Sequence, residues 1–212
     1  RQLEENNVKV MISTKVMEIT EANESEELTV ITDRKKITCD LVVLSAGIKP
    51  NTELAKEAGL AIGTFGGILV DRRMRTSDPH IYAGGDCTEI RNLISGENMM
   101  MPLGSLANRQ GRVIATNISG GSSHFKGTVG TFCMKVFEMG VSKTGLTYRQ
   151  AQNAGFNPVY SIVSQADRAH FYPSSQVMYI TLIADKTTRR ILGIEAVGKM
   201  GDAVKARVDA VA

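Results

Sequence analysis

The clearest chemical signal in the chain is a carboxylate set behind two glycines, in Thr76-Ser77-Asp78-Pro79-His80-Ile81-Tyr82-Ala83-Gly84-Gly85-Asp86. Asp78-Pro79 opens a turn, because proline fixes its own φ and pushes the residue before it out of the helical region. Ile81-Tyr82-Ala83 is a short apolar run without polar alternation, which predicts a strand covered on both faces. Gly84-Gly85 lets backbone come close to a bulky neighbour. Asp86 then stands at the carboxyl end of that strand, where ligands sit in open α/β sheets. Its carboxylate could accept a ligand hydroxyl; the alternative is a turn cap that satisfies backbone amides. Cys39, Cys87 and Cys133 are too far apart for a C-x-x-C pair, a zinc site or a disulfide framework. Each is expected to be a small buried hydrophobe, and Cys87, next to Asp86, is the one for which a redox role is conceivable. His80 and His124 have no partners at metal-ligand spacing, so no metal site is expected.

The stretch 76–86 resembles the second flavin-binding signature, T-x-x-x-x-I-Y-A-x-G-D, of the FAD-dependent pyridine nucleotide-disulfide oxidoreductases. The resemblance implies that Gly85 and Asp86 lie at FAD, with the aspartate accepting a hydrogen bond from the ribityl chain. Leu103 to Arg112, read as L-x-x-x-A-N-R-Q-G-R, is similar to the branch containing coenzyme A-disulfide reductases, NADH oxidases, NADH peroxidases and polysulfide reductases. It implies that the start of a helix, at Pro102, Leu103, Gly104 and Ser105, faces the N1 and C2 carbonyl edge of the isoalloxazine. Amides and a positive dipole end would favour the negative charge that reduction places there. An ordinary amphipathic helix with Arg109 and Arg112 in solvent is the alternative.

Asp40-Leu41-Val42-Val43-Leu44-Ser45-Ala46-Gly47-Ile48-Lys49-Pro50-Asn51 resembles the place where such enzymes leave the NAD(P)H-binding domain and re-enter the FAD domain. Phe137, Gly140, Thr144, Gly145 and Leu146, with Ile191 to Lys199, resemble the interface domain through which the family forms two-fold dimers. Ala169-His170-Phe171-Tyr172-Pro173 matches A-x-x-Y-P, a segment that in the coenzyme A-disulfide reductase branch reaches the partner subunit's active site. Tyr172 is therefore a candidate substrate residue and His170 a second; a turn carrying surface aromatics is the alternative.

These resemblances imply an α/β and α+β chain: partial FAD- and NAD(P)-binding Rossmann-like segments followed by an α+β dimerisation domain. The expected division is 1–48 as the tail of an NAD(P)H-binding domain, 49–121 as the C-terminal segment of an FAD-binding domain, and 122–212 as the dimerisation domain. The implied function is transfer of hydride from NAD(P)H through FAD to a disulfide, persulfide or polysulfide such as coenzyme A disulfide. An NADH oxidase or peroxidase, or a chain acting only as a dimerisation module, are the alternatives. The chain opens as if cut from a longer one, and it contains no G-x-G-x-x-G phosphate turn. The family's redox cysteine is expected upstream, so no catalytic residue is assigned here, and the 212-residue chain by itself is expected to be inactive.

Around these motifs the patterning predicts an opening helix at 1–6, a strand at Val8–Ile12, and a β-meander over Lys15–Thr20, Leu28–Asp33 and Lys36–Cys39 separated by polar turns. Asp40–Gly47 is expected as a central parallel strand. A helix over Glu53–Ala58 is capped by Asn51 or Thr52 and stopped by Gly59. Gly66–Asp71 reads as an edge strand and 87–101 as a loop, with Met99-Met100-Met101 either packing on the core or facing substrate. The helix 102–118 carries apolar positions 103, 106, 107, 114 and 118 and ends at Gly120-Gly121. Strands follow at 131–137, 140–146, 159–164, 177–184 and 191–197, with a Thr147-capped helix at 148–154 and a closing helix from Asp202 bearing Val204, Val208 and Val211.

Composition restricts the partners. A net charge of +3 with no lysine or arginine run points away from nucleic acid and from membrane surfaces. The absence of tryptophan removes the strongest stacking platform for single strands. No apolar run reaches the ~18 residues of a spanning helix, so a soluble cytoplasmic context is expected, and the resemblance implies a homodimer acting on a small thiol or disulfide.

Overall fold

A computed structural model describes residues 1–21, 27–199 and 201–212. It divides the chain into two compact units, Arg1–Ile48 and Lys49–Ala212.

In the first unit a short helix α1 (Gln2–Glu5) precedes an antiparallel meander of β1 (Val16–Glu21), β2 (Leu28–Thr32) and β3 (Lys36–Cys39) in the order β1-β2-β3. Only β3 alternates exposed and half-buried residues, and Thr32 closes the β2–β3 turn by accepting the amides of Arg34 and Lys35 at 3.2 and 2.9 Å. The polar turn expected between β1 and β2 falls on 22–26, outside the described residues. Two expected strands do not form. Val8–Ile12 and Asp40–Gly47 have no ladder partner among the described residues, and Val43 and Leu44 are 79% and 77% exposed. An apolar run becomes a strand only when neighbours take its amides and carbonyls, and no described strand lies beside either run.

The second unit starts with α2 (Glu53–Glu57), stopped by Gly59 at φ 72°. Thr52 is at its N-cap, but the hydroxyl donates to the Gly66 carbonyl at 3.2 Å instead of accepting a helix amide, so the expected side-chain cap is replaced by a tether to the next loop. The edge strand expected at 66–71 shrinks to β4 (Ile68–Leu69), because the Asp71 carboxylate takes the Arg73 and Arg75 amides and turns the chain. The 87–101 loop instead contains a hairpin: β5 (Thr88–Arg91) runs parallel to β4 and antiparallel to β6 (Asn98–Met99). Polar residues and Gly96 had concealed two short strands there. The three methionines 99–101 are half-buried.

Helix α3 (Gly104–Ile118) follows. Its buried stripe is Leu106, Gln110, Val113 and Asn117, while Ile118 is 66% exposed. Two amides have taken positions that the apolar spacing had given to Ile114 and Ile118, because each of those amides has backbone to bind.

Beyond 121 a five-stranded antiparallel sheet is built from β7 (Phe132–Val136), β8 (Met139–Gly145), β9 (Pro158–Ala166), β10 (Val177–Asp185) and β11 (Ile191–Gly198), in the order β7-β8-β11-β10-β9. Helix α4 (Tyr148–Asn153) starts in a capping box of Thr147 and Gln150, and α5 (Gly201–Asp209) lays Val204 and Val208 on Met178, Ile180, Ile194 and Ala196. Ile183, Leu192, Leu146 and Ala151 form a second buried cluster, to which Ile94 of the β5–β6 hairpin packs. The buried side of β10 changes between Ile180 and Ile183, so its two clusters lie on opposite faces of the sheet.

Candidate functional site

Residues 81–86 do not make the buried strand that their pattern predicts. Only Tyr82 is laddered, by a bridge to Arg75, and Ile81 is 39% exposed. The run has one neighbour instead of the two that a covered parallel strand requires. Its end is nonetheless held firmly. Gly84 is pressed on α3 so closely that a Cβ there would sit 2.8 Å from Ile114 Cδ1 and 3.4 Å from Gln110 Cβ. Gly85 has φ +89°, and a Cβ there would touch Ala107 at 3.9 Å. The bulky neighbour of the glycine pair is thus α3 itself.

This packing puts the Gly85-Asp86 turn beside the first turns of α3. The Asp86 side chain is exposed, and its carboxylate accepts no hydrogen bond among the described residues. The neighbouring turn is closed without it, by the Thr88 amide and hydroxyl donating to the Gly85 carbonyl at 3.2 and 2.9 Å. Leu103 is extended at the N-cap of α3 with φ −133° and gives no side-chain cap, and the first turn contains no acidic residue. The amides of Gly104 and Ser105 have no acceptor among the described residues, and both residues are exposed. An acceptor carboxylate and an uncapped, electropositive helix start therefore lie on one support. That donor and acceptor set fits a polyhydroxylated ligand carrying an electron-rich edge, as a flavin does.

Tyr172 and His170 sit elsewhere, at the tip of the β9–β10 hairpin. Asp167 ties the base of the tip: its buried carboxylate accepts the Gln176 amide at 2.7 Å and Arg168 Nε at 2.9 Å. The Gln176 amide, outweighing the cost of burial and helped by Arg168, holds the Asp167 carboxyl below the usual carboxylate range. Above this base Phe171 stacks on Tyr172 with centroids 4.8 Å apart, and His170 meets Phe171 edge-on. Tyr172 is 51% exposed, and the tip shares no hydrogen bond with 84–105 among the described residues.

The three cysteines form no disulfide, and none is buried as expected: Cys39 and Cys87 are half-buried, and Cys133 is exposed on β7, at one edge of the sheet. Cys87 points its thiol at the Gly84 carbonyl, 3.6 Å away. Among the described residues no group of three histidine, cysteine or acidic side chains is arranged to hold a metal, and no helix is long and apolar enough to cross a membrane.

The pyridine nucleotide-disulphide oxidoreductase profile matches residues 1–111, and the dimerisation-domain profile of the same family matches 131–211. The chain belongs to this family. A member 36% identical over 196 residues is the NAD(P)H coenzyme A polysulfide/persulfide reductase of Pyrococcus horikoshii, of which the match spans 92% of this chain and 44% of the relative. An NADH oxidase of Methanocaldococcus jannaschii is 35% identical, over 99% of this chain and 46% of the relative. Among solved structures, an FAD-dependent pyridine nucleotide-disulphide oxidoreductase from Desulfovibrio vulgaris superposes with a TM-score of 0.85 at 44% identity, covering 100% of this chain and 50% of that one. The chain thus spans less than half the length of the curated oxidoreductases it matches.

Three residues of this family member were not legible as site residues. Gln110 is buried and accepts the Gly85 amide at 2.5 Å; its place beside Ala107 and Ile114, at i, i+3 and i+7, was the available signal. Asp167 gave no sign beyond being a polar residue after a strand. Glu89, 2% exposed, accepts the Phe65 and Gly67 amides at 2.7 and 3.3 Å and so fixes the 63–67 loop. It also lines a cavity of about 730 Å³ with Glu97, Asn98 and Asn153, which includes none of the residues expected at the flavin.

Proposed function

We propose that this chain is the flavin-proximal and dimerising part of an oxidoreductase that uses NAD(P)H to reduce a disulfide, persulfide or polysulfide, with coenzyme A disulfide as a representative substrate. The observation that carries the proposal is the shared support of Asp86 and the open start of α3, read together with the family membership. When bound, FAD would supply the two-electron relay between nicotinamide and sulfur. The chain's own contribution is positional. Asp86 would accept a hydroxyl of the bound group, Gly85 sets the turn that presents it, and the Pro102-Leu103-Gly104-Ser105 segment would offer the free amides of Gly104 and Ser105 to negative charge on it.

The domain division that goes with this reading is 1–48 for the end of the NAD(P)H-binding domain, 49–121 for the FAD segment and 122–212 for the dimerisation domain. A homodimer is favoured by the outer face of the sheet. Tyr160, Ile162, Val177 and Tyr179 lie on one side of the β9–β10 pair and are 58%, 59%, 54% and 54% exposed, a contiguous apolar surface at a free sheet edge. In such a dimer Tyr172, and His170 behind it, would reach toward the partner subunit's substrate. We place the protein in the cytoplasm, in keeping with three free cysteines.

The test is an anaerobic assay of the natural full-length protein, following NADH or NADPH oxidation with coenzyme A disulfide or polysulfide. Sulfur-dependent oxidation of the nucleotide is expected. Turnover only after oxygen or peroxide is added would move the assignment to an NADH oxidase or peroxidase. A protein that purifies as a dimer with no flavin and no turnover would leave only the dimerisation module.

A further inference from the structure

We infer that Gln110 is a positioning residue that registers the Asp86 turn against the start of α3, so that the two flavin-facing features are held at a fixed spacing. The inference rests on the flavin reading above for its ligand and on the geometry of the turn for everything else.

Gly84 and Gly85 run along a track made by Ala107, Gln110 and Ile114, which share one face of α3. Contact with Ala107 and Ile114 fixes how near the turn can come, but apolar contact is non-directional and would let it slide. Gln110 supplies the direction. Its side chain is 2% exposed and its Oε1 accepts the Gly85 amide at 2.5 Å. Gly85 is also the residue at φ +89°, the left-handed conformation that swings Asp86 out of the line of 81–84. An amide acceptor at that one N–H therefore selects the conformation that presents the carboxylate. Because Gln110 is less than two turns from Gly104 on a continuous helix, fixing Gly85 to it also fixes Asp86 relative to the free amides of Gly104 and Ser105. A buried glutamine with this role also accounts for a polar residue on the buried stripe of α3 where an aliphatic one would pack as well.

The test compares wild type, Gln110→Met and Gln110→Glu in the natural full-length protein, by hydrogen exchange over 83–88, FAD titration and the flavin midpoint potential. Met keeps the volume and removes the acceptor; Glu restores an acceptor. Loss of Gly85 protection in Gln110→Met is expected, with roughly tenfold weaker FAD binding and a more negative potential, and Gln110→Glu should recover the protection. Unchanged exchange in a folded Gln110→Met protein overturns the latch. Increased exchange with unchanged affinity and potential overturns its role at the flavin. If Gln110→Met does not fold, Gln110→Leu, which also lacks the acceptor, takes its place: lost Gly85 protection with weaker FAD binding supports the registry, and wild-type protection or wild-type binding contradicts it. A wild-type protein that takes up no FAD while Gly85 stays protected removes the flavin reading and leaves the latch standing.

Discussion

The five-stranded sheet of 132–198 and the apolar runs at 40–47 and 81–83 look alike as sequence and end in opposite states. Strands β7 to β11 all find hydrogen-bond partners within their own segment, and their apolar residues close on α4 and α5 until Ile183, Leu192 and Val208 have no exposure. The other two runs have equally apolar residues, yet Val43, Leu44 and Ile81 stay in solvent. The difference lies in connectivity. The 132–198 segment supplies every neighbour its strands need, β8 pairing with β11 across α4 and the β9–β10 hairpin, whereas no described strand pairs with 40–47 and only Arg75 bridges 81–83.

The contrast is most strongly tested by truncating one side chain from each class. Ile183→Ala, at 0% exposure, should destabilise the chain by about 2–5 kcal/mol in urea unfolding. Leu44→Ala, at 77% exposure, should stay within about 0.5 kcal/mol of wild type in the same chain. Comparable losses at both positions would mean that 40–47 is packed after all. Next in size, Ile162→Glu places a charge on the exposed face of β9 and, in the proposed homodimer, should raise the dissociation constant about thirtyfold or more, a loss of at least ~2 kcal/mol. Equilibrium sedimentation checks this, and a melting temperature near wild type would show that the sheet itself was not broken.

The smallest effect concerns the tip that carries Tyr172. The Asp167 carboxyl is held below its ordinary value, so its contribution is present above the unfolded value of about 3.9 and is lost as pH falls through the lower folded value. Hydrogen exchange across 167–176 should accelerate selectively in that acidic window, and Asp167→Asn should abolish the pH dependence while leaving β7 and β8 protected. Exchange that rises uniformly across the sheet would assign the transition to global unfolding.

What could be read in advance follows the same division. The meander, the Thr147 cap of the helix that follows it and the face formed by Val204 and Val208 were legible, because each depends on residues within a few positions of one another. The β5–β6 hairpin was missed because its strands are four and two residues long and lie among polar side chains. Family membership was legible in motifs. The support of Asp86 was not: that Gly84 packs on Ile114 and Gln110, 30 and 26 positions on, is set by tertiary approach and leaves only two glycines as its trace. The hairpin-tip aromatics were visible, whereas the buried Asp167 beneath them was not.

In the proposed function the Asp86 carboxylate serves a flavin and not the fold. This is tested most directly by the flavin retained after dialysis by the natural full-length protein and its Asp86→Ala variant, alongside the melting temperature of the 212-residue chain with the same change. A charge-assisted hydrogen bond of this kind is worth about 1.5–3 kcal/mol, so FAD affinity should fall about ten- to a hundredfold. The melting temperature of the chain should barely move, since the carboxylate accepts no hydrogen bond among the described residues. A variant that keeps its flavin through dialysis, or a chain that melts much earlier, would make Asp86 a structural residue and not a flavin ligand.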